Sequence, residues 1–438
     1  MRPLAWLCTL LILSSTLLVS GCETTDKALT AAGRVARGQS GQAIIDLASG
    51  KDPAQIAKKR LDQYARNPDA LFRDLREAKR DFEAILADLG VNVGKTWGKK
   101  EVQLPERKKY VKYTQNYKSR AIVDFDSGEI LVEILVETLD DQDPTRSLKN
   151  AIVTTLLTPQ DPRSVDLFSD KEIILTDDKE PYLFGLVLDQ QKKPIRTPEE
   201  AELFAAYLIE RKYGTRTVDQ DGTKKTVHYV TLPMVSNLPM KQAEKYRTLV
   251  HQFAEHYRIS PSLVFAVIRT ESNFNPYAVS SAPAYGLMQL APTSGGREAY
   301  RKAKGQDVIP SRDYLFDPEN NVELGTAYLN VLMFNQLEAV DHNVSREYCA
   351  IAAYNTGPSN VFRTFSRNRT EAVNQINSLQ PSGVYDQLRK SLPYEETRHY
   401  LEKVTGYRKS FVNSSESSNL DAPLSKLCET DGTSEVRS

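Results

Sequence analysis

The hydrophobic pattern changes its period several times along the chain, and each change marks a different kind of segment. Leu4 to Val19 is apolar or small throughout, interrupted only by Ser and Thr. That run is shorter than the roughly 20 residues a helix needs to cross a bilayer. Behind the positive start at Arg2 it fits the apolar region of a signal peptide. From Glu23 to about Gly50 the chain is rich in Ala, Gly, Thr and Gln without a clear period, and reads as a tether with one weak helix at most. Phe72, Leu75, Phe82, Ile85 and Leu89 then recur at helical spacing between charged residues, which predicts a helix from Pro68 to Leu89 with a core-packing stripe. Residues 22–100 are thus expected to be tether plus amphipathic helix.

The period then shortens to two. Ala121–Phe125 and Glu129–Val136 flank Asp126-Ser127-Gly128, a hairpin pattern. Helices are predicted at Pro144–Leu157 and Pro198–Lys212, and strand-like runs at Leu183–Leu188 and Val227–Leu232. Residues 101–232 therefore read as a modest α+β domain whose charged residues form solvated faces and which shows no chemistry of its own. After Pro233 and Pro239 the pattern is helical to about Tyr407. Ser260-Pro261, Asp317-Pro318 and Ser345-Arg346-Glu347 are helix openings, and Gly357-Pro358 is a stop. Residues 240–410 form the expected helical domain. The stretch 411–438, rich in Ser, Asp, Glu and Thr, is expected to be disordered. The fold class expected for the whole is α+β.

Composition narrows the functions. At 438 residues, 40% hydrophobic and 26% charged, the chain can bury cores for two or three domains. Lys+Arg and Asp+Glu both total 57, so no net field recruits nucleic acid. Five His and four Cys are scattered singly, with neither CxxC nor HExxH, so no metal site is expected. Val19-Ser20-Gly21-Cys22 resembles the bacterial lipobox. The resemblance implies removal of residues 1–21, diacylglycerol on the Cys22 sulfur and an acylated new amino terminus, an anchor far firmer than a single chain. Glu23 rather than Asp follows, which in enteric-type sorting favours the outer membrane, facing the periplasm. Cys349 and Cys428 then remain. A buried thiol in an apolar helical run and an exposed one in a polar tail is preferred to a disulfide between them.

Chemistry concentrates after Ser260, which should cap a helix with Pro261 in its first turn. Val264, Val267 and Ile268 form a stripe, and Glu271 continues it. A carboxyl turned inward is held neutral by desolvation. Asn275-Pro276 should end the helix, which puts Glu271 near the negative end of its dipole. Both effects favour a proton donor near neutral pH. On periodicity alone, a Glu paired with a core Arg or pointing outward is the commoner arrangement. From Ser272 to Arg297, however, there is no Asp or Glu. Instead Ser280, Ser281, Tyr285 and Gly286-Leu287-Met288-Gln289 offer hydroxyls, an amide and close backbone approach over an apolar floor, as in a sugar-binding cleft.

Glu271-Ser272-Asn273-Phe274-Asn275-Pro276, Gly286-Leu287-Met288-Gln289, Ala353-Tyr354-Asn355-Thr356-Gly357 and Glu396-Thr397-Arg398-His399-Tyr400 resemble, in order, the signatures of the family 1 lytic transglycosylases, whose fold is goose-lysozyme-like. Tyr110-Val111-Lys112-Tyr113-Thr114, Gly185–Asp189 with Pro194-Ile195-Arg196, and Tyr314–Pro318 extend the resemblance, towards a membrane-bound branch, over roughly 93–407. It implies an enzyme that cleaves peptidoglycan between MurNAc and GlcNAc without metal, nucleotide or other cofactor. Glu271 would serve as acid and then base while the C6 hydroxyl of MurNAc closes a 1,6-anhydro ring at high effective concentration. Glycosidases otherwise use two carboxyl groups, about 5–5.5 Å or roughly 6.5–9.5 Å apart. Asp313, Asp317, Glu319 and Glu323 are the acids that could fold back, and Asp317 is more simply a helix cap. Ser280 and Tyr400 match supports of the acid, while Gln289, Tyr354 and Asn355 match residues that hold the glycan, with Met288 as wall. Ala282 stands where some relatives carry a second serine. The competing readings are a hydrolase on the same fold, in which water attacks, and a non-catalytic glycan-binding scaffold. The implied partners are glycan strands and, through Cys22, the membrane; protein partners are not legible.

Overall fold

The structure is a computed structural model that describes residues 68–136, 143–175 and 180–412, with side chains from Lys79 onward except Asp81. The chain divides into two compact units, Met1–Ala78 and Lys79–Ser438, and the contacts below lie within the second. The signal segment, Cys22, the tether, Cys428 and the tail beyond residue 412 fall outside the described residues.

Helix α1 spans Pro68–Trp97, past the predicted end at Leu89. Its buried stripe is Phe82, Leu89, Val93 and Trp97 with Leu86 packed alongside, whereas Ile85 remains 38% exposed. The stripe thus passes through Leu86 rather than Ile85, four residues after Phe82 on the same side of the helix.

Strands β1 (Lys109–Thr114), β2 (Ser119–Asp124), β3 (Glu129–Val136), β4 (Gly214–Gln220) and β5 (Thr223–Pro233) form one antiparallel sheet in the order β1-β2-β3-β5-β4. The β2–β3 hairpin turns where predicted. Asp124 Oδ1 accepts from the Asp126 and Ser127 amides at 2.9 and 3.1 Å, and Gly128 takes a φ of 72° that costs a glycine nothing. β4 was not legible because only Val218 of its seven residues is buried. The run Leu183–Leu188 is not a strand: it folds into tight turns with isolated bridges, Gly185 at φ 70°.

The sheet is covered on both faces with strict period two. Tyr110, Val123, Ile130, Val132, Val230 and Leu232 join the larger core, which includes helices α2 (Pro144–Leu156) and α3 (Pro198–Lys212) and continues into the helical region. Val111, Tyr113, Leu135, Val218 and Val227 pack instead under α1. Charged residues on this second face are buried, against the expectation of solvated faces: Arg120 is 3% exposed and Glu133 0%. They tolerate burial because they satisfy one another. Glu133 accepts from Arg120 Nε at 2.5 Å and Arg216 Nε at 2.8 Å, Glu101 binds both arginines, and the Arg120 guanidinium lies 4.0 Å over the Trp97 ring.

The helical region comprises α4 (Leu238–Lys245), α5 (Arg247–His256), α6 (Pro261–Glu271), α7 (Gly295–Lys304), α8 (Arg312–Phe316), α9 (Pro318–Val331), α10 (Asn343–Thr356), α11 (Pro358–Phe365), α12 (Arg369–Ser378), α13 (Pro381–Ser391) and α14 (Glu395–Arg408). The class is α+β, as expected. Asp317 caps α9 through the Asn320 amide at 3.0 Å, and Gly357 at φ 82° ends α10. The α10 opening lies earlier than expected. His342 Nδ1 accepts from the Val344 amide at 3.2 Å, and Ser345 is already buried inside the helix. Among the described residues no helix is long and apolar enough to cross a membrane.

Candidate active site

Helix α6 carries more than an apolar stripe. Ser262 through Ile268 are all buried, so the helix is central to the core and only Pro261 and Arg269 keep partial exposure. The Ser260 hydroxyl does not cap it, but pairs with Ser262 Oγ at 2.7 Å. The helix also ends four residues before the predicted Asn275. The Ser272 amide closes onto Ile268 O at 3.0 Å, after which Asn273 and Phe274 take φ of 49° and 63°. Glu271 is therefore the last helical residue, at the end of the dipole that most opposes a negative charge.

Glu271 is 5% exposed. Burial pushes its carboxyl up to about 7; the Tyr400 hydroxyl, Arg107 and more weakly Lys108 oppose the rise, and Glu396 adds to it. The Tyr400 hydroxyl is buried beside the carboxyl, near enough to act on its charge though not in good hydrogen-bond alignment. Burial first, and then the Glu271 charge, holds this phenol well above its ordinary pKa. Arg107 precedes β1. Its Nη1 lies 3.8 Å from Glu271 Oε2 and its Nη2 3.4 Å from Glu396 Oε1.

The turn after Glu271 is bolted to the sheet-bearing part of the chain. Asn273 Nδ2 donates to Phe125 O, Asn275 Nδ2 donates to Arg107 O at 3.2 Å, and Tyr182 Oη donates to Phe274 O at 3.1 Å. Tyr110, Tyr182 and Tyr277 pack edge to face beneath it. On the other side, Asn321 of α9 stitches the glycine loop. It donates to Tyr285 O at 2.8 Å and Leu315 O at 2.7 Å, and accepts from the Met288 amide at 2.8 Å. Gly286 has φ 74°, and a Cβ there would meet the Asn321 side chain and Leu315 O at 2.5 Å. Close approach and backbone conformation both demand glycine.

Met288 is fully buried with its sulfur against Gly325, a floor residue with no surface to offer a ligand. Gln289 Nε2 donates to Ala278 O and Gly286 O at 3.0 and 3.1 Å, leaving Oε1 buried without a partner. Half-buried Tyr354 donates to Met288 O at 2.8 Å. Asn355 Oδ1 accepts from Thr397 Oγ1 at 2.6 Å and borders a groove of about 590 Å³ with Thr356, Asn360, Tyr394 and Glu396. Ser280 is half-exposed and its hydroxyl donates to the Ala282 carbonyl within its own loop, not to Glu271. Of the acids that could have folded back, Asp317 caps α9 and pairs with Arg163, and Glu323 pairs with Lys304. The carboxylate that reaches Glu271's surroundings is Glu396, through Arg107. Among the described residues no cluster of three or more His, Cys, Asp or Glu converges to hold a metal.

Residues 75–245 match the family model described as membrane-bound lytic murein transglycosylase C, N-terminal domain, and residues 248–377 match the transglycosylase SLT domain. Over 330 residues the chain is 42% identical to membrane-bound lytic murein transglycosylase C of Serratia proteamaculans (strain 568), covering 75% of this chain and 89% of that relative. The chain belongs to the membrane-bound lytic murein transglycosylase C family. The relative of the same name from Yersinia enterocolitica is 43% identical over the same shares of both chains. Among solved structures, lytic transglycosylase Slt from Pseudomonas aeruginosa, in an inactive mutant form, shares 29% identity over 41% of this chain and 25% of its own, at a TM-score of 0.31. By the two family-model matches, the residues gathered around Glu271 in this transglycosylase family member come from three parts of the chain. Arg107 lies in the N-terminal match and Glu271 in the SLT match. Glu396 and Tyr400 follow the end of the SLT match, on α14, which packs against α6.

Proposed function

We propose that this chain, a peptidoglycan lytic transglycosylase by family, works through Glu271 alone as acid and then base. The observation that carries the reading is a carboxyl buried at a helix C-terminus, where burial pushes it up to about 7 and lets it give and take a proton near neutral pH. Glu271 gives its proton to the oxygen joining MurNAc C1 to GlcNAc, and that C–O bond breaks. The MurNAc C6 hydroxyl then bonds to C1 and returns its proton to Glu271, so the acid is regenerated and no water is consumed. Tyr400 lies where its hydroxyl can steady the ionised carboxyl. Tyr354 holds the Met288 carbonyl, Asn355 edges the path of the glycan, and Gln289 keeps one buried acceptor, Oε1, for it. Ser280 would need to leave the Ala282 carbonyl to assist the forming anhydro sugar. The reading takes residues 240–410 as a lysozyme-like catalytic domain and 101–232 as the domain that braces it.

Product analysis tests it. Purified peptidoglycan treated with the protein should release muropeptides ending in 1,6-anhydro-MurNAc, one water lighter than reducing-end species, and Glu271→Gln should release none. Reducing MurNAc ends would mean that water attacks, and equal products from the variant would remove Glu271 from the chemistry.

Membrane association follows the family, and we propose that it is achieved by acyl chains on Cys22 at the outer membrane, facing the periplasm. Radiolabelled palmitate should enter the wild type and not Cys22→Ala, and the label should fractionate with the outer membrane. Label retained in the variant, or confined to the inner membrane, counts against the anchor or the address respectively.

A further inference from the structure

The amino-terminal match contributes more than packing to the site. Arg107 is held through its own carbonyl and through the residue after it. Its carbonyl accepts from Asn275 Nδ2 at 3.2 Å, and Lys108 next to it donates to Asp126 Oδ1 at 2.9 Å. Asn275 lies four residues after Glu271, so the turn that ends the catalytic helix also fixes where Arg107 begins. From that fixed point the guanidinium forks, with Nη1 3.8 Å from Glu271 and Nη2 3.4 Å from Glu396. Its side chain keeps 43% exposure, while that of Glu271 keeps 7%.

We infer that Arg107, supplied by the segment before the sheet, is a positioning residue for Glu271: it holds the carboxylate in place when the proton has gone to the leaving oxygen, and Glu396 holds Arg107 in turn. This rests on the reading of Glu271 as the acid. The physical case is one of sign. An arginine beside a carboxyl favours its ionised form and makes it a stronger acid, whereas Glu396 works in the opposite sense. The groups facing Glu271 are Tyr400 on α14, Arg107 and Lys108 from the segment before β1, and Glu396, with Tyr354 of α10 sensing its charge. Changing Arg107 or Glu396 leaves Tyr400, Tyr354 and Lys108 unaltered. The two substitutions should therefore move the site in opposite directions.

The experiment is the pH dependence of kcat and kcat/KM on soluble glycan strands for the wild type, Arg107→Gln, Arg107→Lys, Glu396→Gln and the double variant Arg107→Gln/Glu396→Gln. Glu271 works protonated in the first step, so activity falls as pH rises through its pKa. Arg107→Gln should raise that alkaline limb by about half a pH unit, a value discounted for the partial exposure of the arginine. It should also lower kcat on the acid side by about fivefold, because the acid is weaker. Glu396→Gln should lower the limb, the double variant should return it towards the wild type, and Arg107→Lys should restore most of it. Limbs that stay in place, or move in one direction for both single variants, overturn the inference, as does a rise in KM alone, which would make Arg107 a substrate-binding residue. Glu396 is exposed on the surface, so its variant remains informative if Arg107→Gln fails to fold. Activity surviving in Glu271→Gln would instead overturn the underlying assignment of the acid.

Discussion

Glu271→Gln should stabilise the protein, and the gain should grow with pH. In the unfolded chain the carboxyl titrates at its ordinary 4.5, while in the fold burial raises it to about 7. Between those values the folded state holds a proton that the unfolded state has released, so stability must fall as pH rises. Each pH unit of the difference corresponds to about 1.36 kcal/mol, which gives about 3 kcal/mol in all. The loss begins above pH 4.5, is nearly complete at pH 7 and is full by pH 8. A glutamine keeps the shape of the acid and cannot ionise, so the variant escapes it. Urea denaturation of both proteins at pH 4.5, 6 and 8 reads the effect directly. The curves should nearly coincide at pH 4.5, with the variant ahead by about 3 kcal/mol at pH 8. A constant gap across the three values, or one that closes as pH rises, would refute the claim that burial keeps this carboxyl protonated. The same proton that makes Glu271 an acid thus makes its site a cost to the fold, as expected where function and stability compete.

Tyr400→Phe removes the largest group favouring the ionised carboxyl, so the alkaline limb of the activity profile should rise and kcat should fall by about tenfold; an unchanged profile would show that the phenol only packs. Gly286→Ala places a methyl 2.5 Å from Leu315 O and from Asn321 at a positive φ, and should cost about 2–3 kcal/mol in urea denaturation, with activity falling in step. Glu133→Ala takes from buried Arg120 its nearer carboxylate, leaving Glu101 at 3.2 Å, and should cost about 3 kcal/mol, while kcat on soluble glycan stays near wild type. A loss below about 1 kcal/mol would mean that water reaches the pair.

Local signals were read correctly where a short stretch decides the outcome. Thr197 and Glu200 form both halves of a capping box at the predicted start of α3, and Asp317 caps α9 as its sequence position implies. The β2–β3 turn needed only Asp124 and Gly128. Misreadings arose where a neighbour distant in sequence decided the outcome. The Leu183–Leu188 run has strand-like composition but is drawn into turns. Ser260 offers a cap, yet Ser262 takes its hydroxyl. Ile85 and Leu86 are equally apolar, and only the packing of α1 against the larger core selects Leu86. The charges of the sheet looked solvated because Glu101, Arg120, Glu133 and Arg216 are scattered in sequence and meet only across strands.

The sequence by itself determined the class of the fold, the order of the four signatures and the inward stripe that ends in Glu271, because helical and strand periods are properties of consecutive residues. Only the tertiary structure decided the electrostatic setting of that acid. Arg107, Glu396 and Tyr400 lie 164 residues before it, 125 after it and 129 after it by their numbers in the chain. No periodicity records which distant side chains will converge on one buried carboxyl. Coulomb forces and desolvation act through space, and the chain fixes those distances only when α6, α14 and the segment before the sheet have packed.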